Sequence, residues 1–112
     1  MIRVTVLYPN KPGIRFDLAY YVEKHCPMVM EMLGEACKGF GVDQGIAGVM
    51  PAGEPAYRVV AHFLFDTLED FQNSFGPNAA AIAADIPNYT DLQPIIQVGE
   101  VRAERFRRHP RA

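Results

Sequence analysis

The chain has 112 residues, of which 49% are hydrophobic and 21% charged, a composition typical of one globular domain. No apolar run reaches the roughly 18 residues of a membrane span, and the first residues do not resemble an export signal. The two cysteines, Cys26 and Cys37, match no zinc-binding spacing. We therefore expect a cytoplasmic protein with reduced thiols.

The net charge of −2 conceals an uneven distribution of charge along the chain. Residues 1–101 carry six Lys and Arg against twelve Asp and Glu, whereas residues 102–112 carry five Arg against one Glu. The acidic part lacks the basic stripe that nucleic-acid binding needs. We interpret residues 1–101 as the folded domain and residues 102–112 as an Arg-rich tail, which is either a solvated end or a contact for an anionic partner.

The first third of the chain predicts a strand followed by a long helix. Apolar side chains alternate over residues 1–8, which is the period of a strand. Asp17 is placed to cap a helix whose apolar residues recur at helical spacing until Gly34. Because Pro27 has no backbone N–H to donate, we expect a kink or a restart of this helix at residues 25–27.

The rest of the chain predicts two strands, a second helix and a last strand. Residues 38–48 are weakly strand-like, and seven of the nine residues 57–65 are apolar. Thr67 is placed to cap a helix that Gly76-Pro77 interrupts, and residues 92–101 complete the pattern. The order predicts an α+β protein, a ferredoxin-like βαββαβ protomer with both helices on one sheet face. Since the strongest strand is apolar on both sides, we expect a second copy to cover the other face in a homodimer.

His25 is the first candidate for chemistry, because it lies on the apolar stripe of the first helix beside Pro27. An imidazole in such a setting can act as a catalytic base or acid. The alternative is a core histidine whose ring nitrogens bond to the backbone. We assign substrate orientation to Tyr21, His62 and Tyr89, with an ordinary core role as the alternative for each.

No sequence pattern calls for a cofactor or a metal ion. The chain has no glycine-rich phosphate loop, no HExxH pair and no GxSxG elbow. Asp85 and Asp91 lie at predicted helix ends, where capping explains them. We therefore assign neither a cofactor nor a metal site, and haem-linked oxygenation stays open as a third possibility.

Several short motifs, taken in order, resemble those of the EthD family over about residues 1–101. The motifs are Leu7-Tyr8-Pro9-Asn10, Tyr20-Tyr21 with His25-Cys26-Pro27, His62-Phe63-Leu64-Phe65-Asp66, Phe75-Gly76-Pro77, Asp85-Ile86-Pro87-Asn88-Tyr89-Thr90-Asp91 and Gln93-Pro94. The resemblance implies a dimeric α/β barrel and an association with bacterial degradation of ethyl tert-butyl ether beside a cytochrome P450 system. The family's His-x-Pro maps onto His25 and Pro27.

These observations lead to two functional hypotheses. The first is a homodimer that binds a small, largely apolar organic molecule in a cleft between helix and sheet in oxidative catabolism. Such a protein could catalyse a cofactor-independent isomerisation or oxygenation with His25 as base or acid. The alternative is a non-catalytic accessory or carrier protein of an oxygenase system.

Overall fold

The structure, a computed structural model, describes residues 1–107. Four strands form one antiparallel sheet, and two very short strands form a separate hairpin in the connection between the second and third strands of that sheet. In chain order the strands are β1 (Ile2–Pro9), β2 (Cys37–Gln44), β3 (Gly48–Val49), β4 (Ala52–Gly53), β5 (Tyr57–Phe65) and β6 (Ile95–Glu100). The large sheet has the order β2-β5-β1-β6, which confirms the predicted ferredoxin-like arrangement.

The helices cover one face of this sheet. The first, α1, comprises residues 18–33 in three consecutive segments, which are Leu18–Tyr20, Tyr21–His25 and Cys26–Leu33. The second helical stretch comprises α2 (Leu68–Phe75) and α3 (Ala79–Asp85), separated by a single 3₁₀ turn over Gly76–Asn78. Buried residues of α1 and α3 pack with buried residues of β1 and β5 in one hydrophobic core. Within the described residues, no helix combines the length and apolar character needed to cross a bilayer.

Pro27 changes the geometry of α1 as the sequence predicts. The segment Tyr21–His25 is a π-helix, in which the Cys26 N–H donates to the carbonyl of Tyr21, and ordinary α-helix resumes at Cys26–Leu33. A π-turn of this kind adds a residue to one turn and is frequent at functional sites. Here it leaves Tyr21 and His25 both buried, with their rings stacked at a centroid distance of 5.4 Å.

The two faces of the sheet differ in what covers them. On β5, the buried side chains of Val59, Ala61, Phe63 and Phe65 lie beneath the helices. The alternate residues lie on the other side, which we call the open face. It includes the half-buried pairs Arg3–Leu64, Thr5–His62 and Leu7–Val60 of β1 and β5. The open face is therefore mixed in polarity, and less apolar than the sequence pattern suggested.

Only part of the Arg-rich tail lies within the described residues. Arg102 contacts Glu100 at 3.0 Å, and Glu104 contacts Arg3 of β1. Arg108 and Arg111, which belong to the same predicted tail, lie outside the described residues. The last strand of the sheet ends at Glu100, just before the tail begins.

Candidate functional site

An apolar cavity of about 110 Å³ lies between the helices and the covered face of the sheet. Every layer contributes to its wall, including β1, α1, β5, α2 and α3. Its aliphatic and aromatic lining includes Val6, Val29, Phe63, Phe75 and Ile82. Among residues 1–107, no Lys, Arg, Asp or Glu side chain lines the cavity, and His25 is the one titratable nitrogen base that does. The cavity is therefore suited to an uncharged molecule.

His25 is held at the cavity by the carboxylate of Asp85. The two residues are 60 positions apart in the chain, one in the π segment of α1 and the other at the end of α3. Their Nδ1 and Oδ2 atoms lie 2.8 Å apart. The second carboxylate oxygen, Oδ1, accepts hydrogen bonds from the Tyr20 hydroxyl and the Asn88 amide, each also at 2.8 Å. Three donors thus fix Asp85, and Asp85 fixes the imidazole.

The charge of Asp85 determines which nitrogen of His25 carries the proton. Burial by itself would raise the pKa of this carboxyl, but the hydrogen bonds from its three donors lower it, and the net pKa lies below the ordinary value of 3.8. Asp85 is therefore ionised at neutral pH and can only accept. The hydrogen bond consequently requires an N–H at Nδ1, which leaves the lone pair of a neutral imidazole on Nε2.

A cluster of buried tyrosines surrounds the free nitrogen. The Tyr89 hydroxyl lies 3.5 Å from Nε2 of His25 and 2.7 Å from the Tyr8 hydroxyl. Tyr21 stacks on the imidazole from the same helix. Burial raises the pKa of Tyr8, Tyr21 and Tyr89 above the ordinary value, so all three hydroxyls keep their protons at neutral pH. The site presents one acceptor, Nε2, beside a hydroxyl that can donate.

The structure brings three of the four predicted site residues together. His25, Tyr21 and Tyr89 all line the cavity, whereas His62 does not. Side chains alternate across a strand, and His62 lies between the buried Ala61 and Phe63, so it projects onto the open face. The structure therefore does not bring His62 to this cavity, and a part for it in orienting a substrate stays a prediction.

Asp85 is the site residue that the sequence interpretation missed. Its position at the end of a predicted helix favoured a capping role, but its carboxylate bonds instead to His25 and Tyr20 of α1. The available signal was its place in the family motif that also contains Asn88 and Tyr89. No spacing rule relates residue 85 to residue 25, because their proximity arises from packing between separate helices.

The arrangement is suited to proton transfer. Neutral imidazole with a carboxylate behind it can accept a proton at Nε2, and the carboxylate then stabilises the imidazolium. Among residues 1–107, no group of three or more His, Cys, Asp or Glu side chains is placed to hold a metal ion.

The comparisons with known proteins are consistent with the fold and identify the family. The EthD domain model matches residues 16–93. A crystal structure of an EthD-like protein from Ralstonia eutropha JMP134 is 42% identical, with a TM-score of 0.87 over 93% of this chain and 94% of that chain. An ethyl tert-butyl ether degradation (EthD) family protein from Bacillus halodurans C-125 is 16% identical, with a TM-score of 0.65 over 90% and 98%.

A more distant structure shares the fold alone. A dimeric protein of unknown function and ferredoxin-like fold from Bacteroides fragilis is 14% identical, with a TM-score of 0.51 over 89% of this chain and 95% of that chain. No protein of curated function matches the chain. The match to the family model and the similarity to the Ralstonia protein both extend over most of the chain, which therefore belongs to the EthD family.

Proposed function

We propose that the protein binds a small, uncharged, largely apolar organic molecule in the helix–sheet cavity and that His25 transfers a proton to or from it. The observation that carries the proposal is the hydrogen bond of 2.8 Å between Asp85 and Nδ1 of His25. That bond orients the imidazole and leaves Nε2 as a base at an otherwise uncharged cavity. In this proposal His25 is the catalytic residue, Asp85 positions it, and Tyr89 and Tyr21 border the ligand.

The size and lining of the cavity support the choice of ligand. An engineered apolar cavity of about 150 Å³ takes up benzene and otherwise stays dry. A cavity of about 110 Å³ is smaller and suits a single ring or a branched molecule of similar size. A ligand carboxylate or phosphate would enter without a cationic partner, which is costly in an apolar site.

The family name refers to the degradation of ethyl tert-butyl ether, a small ether. We propose that this protein takes part in the same kind of oxidative catabolism, in the cytoplasm. A base at an apolar cavity can begin a cofactor-independent isomerisation or oxygenation by removing a proton from the substrate. A carrier protein of an oxygenase system would use the same cavity without the proton transfer. Whether Nε2 of His25 carries the imidazole proton distinguishes the two functions.

NMR of histidine-labelled protein tests the proposal directly, with toluene as the probe. We expect ¹⁵N spectra to show His25, assigned with a His25→Phe variant, protonated at Nδ1 and unprotonated at Nε2. We also expect toluene to shift the Nε2 resonance. An Ala79→Phe variant should lose the toluene response because Ala79 lines the cavity.

Ala80→Phe is the matched control for that variant. Ala80 is the next residue of α3, is exposed and does not line the cavity, so its variant should respond to toluene as the wild type does. Failure of toluene to bind the wild type would refute the cavity as a ligand site. A proton on Nε2 in place of Nδ1 would refute the base, and toluene binding with that tautomer would favour the carrier function.

We further propose that a second copy of the chain covers the open face. Half-buried apolar side chains on that face, Leu7, Val60 and Leu64, support a homodimer that packs through its sheets. The Bacteroides protein of the same fold is described as dimeric. In such a dimer the cavity lies on the far side of each sheet from the interface, so each protomer carries a complete site.

A further inference from the structure

We propose that the ligand class of this cavity is the hydroxyl-bearing single ring, a phenol or a compound of the same shape, whose O–H donates a hydrogen bond to Nε2 of His25. The inference rests on the proposed function and specifies the chemistry that the site selects. It distinguishes a hydroxyl compound from an ether or a hydrocarbon of the same size. Each of those three classes would fit the volume of the cavity.

The distances from the Tyr89 hydroxyl to its two neighbours show that Nε2 of His25 can accept a hydrogen bond from a ligand. Tyr89 lies 2.7 Å from Tyr8, an ordinary O–H···O distance, but 3.5 Å from Nε2 of His25. Good hydrogen bonds to nitrogen are about 2.7–3.2 Å long, so the Nε2 lone pair is poorly satisfied. His25 is only 4% exposed, so bulk water contributes little at this nitrogen. A buried acceptor of this kind favours a ligand that brings a donor.

The Tyr89 hydroxyl is placed to donate a hydrogen bond to the oxygen of the same ligand hydroxyl group. An O–H that donates to Nε2 still has oxygen lone pairs, and Tyr89 can donate to one of them while accepting from Tyr8. An ether oxygen can accept from Tyr89 but has no proton for His25. A hydrocarbon satisfies neither residue. Only the hydroxyl compound uses both polar groups that face the ligand.

The same geometry provides a balanced proton transfer. The ligand O–H bond breaks, an Nε2–H bond forms, and the electron pair of the broken bond remains on the ligand oxygen. The imidazolium is stabilised by the Asp85 carboxylate at Nδ1, and the new oxyanion by the Tyr89 hydroxyl. The transfer needs no oxidant, metal or cofactor.

Calorimetric titration with phenol, anisole and toluene tests the inference on the intact protein. The key variant is Asp85→Asn, since an amide facing Nδ1 places a donor there and moves the imidazole proton to Nε2. The wild type should prefer phenol over anisole, and that preference should fall by about fivefold in the variant, within the range for one hydrogen bond. Tyr89→Phe should weaken phenol and anisole binding relative to toluene.

A further variant, His25→Phe, removes the nitrogen acceptor altogether and should reduce the preference for phenol by a similar factor while toluene still binds. An unchanged ratio of phenol to anisole affinity in both His25→Phe and Asp85→Asn, with toluene bound, would overturn the hydroxyl inference and leave the proposed cavity intact. Failure of all three probes to bind the wild type would instead refute the proposed function. The two failures are therefore distinguishable in one set of titrations.

Discussion

Replacing Asp85 with Asn should invert the protonation of His25 while nearly preserving the shape of the site. In the wild type, Oδ1 accepts from Tyr20 and Asn88 and Oδ2 accepts from His25. The oxygen of an asparagine at this position would remain with the first two donors, which turns its NH₂ group toward Nδ1. Nδ1 must then accept, and the imidazole proton moves to Nε2.

The loss of stability follows from the one hydrogen bond whose character changes. Hydrogen bonds to a charged group contribute about 1.5–3 kcal/mol, and the Asp85 side chain is 15% exposed, so solvent places the effect near the lower limit. We expect the free energy of unfolding at pH 7 to fall by about 1.5 kcal/mol. With a urea dependence of about 1–3 kcal/mol per molar, the midpoint should fall by about 0.5–1.5 M.

The lowered pKa of Asp85 determines how the stability difference between wild type and variant changes with pH. The pKa of Asp85 is lowered in the folded protein, so its contribution to stability is fully present above the unfolded value of 3.8. It is lost as the pH falls through the folded pKa. The difference between wild type and Asp85→Asn should therefore shrink below about pH 3.8 and vanish in stronger acid.

Urea unfolding at matched protein concentrations measures the stability difference, and ¹⁵N NMR of the histidine ring measures the tautomer. Equal concentrations are needed because assembly shifts apparent stability. A variant as stable as the wild type at pH 7 would refute the assigned hydrogen bond between Nδ1 of His25 and the Asp85 carboxylate. A His25 that keeps its proton on Nδ1 in the variant would refute the reasoning on which nitrogen faces the cavity.

Three further predictions concern the sheet and the thiols. Leu64→Glu would place a charge in the proposed dimer interface and should cause unfolding or aggregation. Met50→Glu, at a 95% exposed position, is the control and should cause neither. Sedimentation that shows a stable wild-type monomer at micromolar concentration would contradict the dimer. Gly41→Ala should destabilise the fold by about 0.5–1.5 kcal/mol, because the half-buried His62 ring must turn away from a Cβ that would otherwise lie 2.7 Å from it. His62→Ala in the same chain should recover most of that loss in urea unfolding, and no recovery would show that the clash lies elsewhere. Burial raises the pKa of Cys26 to about 11, so this thiol should resist alkylation by iodoacetamide at pH 8 in native protein and react after unfolding, which mass spectrometry can follow; rapid native labelling of Cys26 would contradict its burial.

Local patterns in the chain were sufficient for the main helices and the four strands of the large sheet, though not for the β3–β4 hairpin, and for one half of the candidate site. The period of residues 1–8 and the caps Asp17 and Thr67 were confirmed as parts of β1, α1 and α2. Pro27 marked the place where α1 changes its hydrogen bonding, and His25 was visible as a polar residue on an apolar stripe. Each of these signals depends on residues within about one helical turn or on alternation along a single strand.

The tertiary structure decided what a single segment cannot encode. The partnership of His25 with Asp85 joins two helices 60 residues apart, and only their packing across the sheet brings the two side chains to 2.8 Å. The face of β5 that carries His62 also depended on the fold, because a strand that is apolar on both sides does not reveal which side the helices cover. The sequence by itself therefore determined the elements, their order and the candidate base, since these depend on short-range propensity and periodicity. Long-range packing gave that base its partner, Asp85, and placed His62 on the opposite face of the sheet from it.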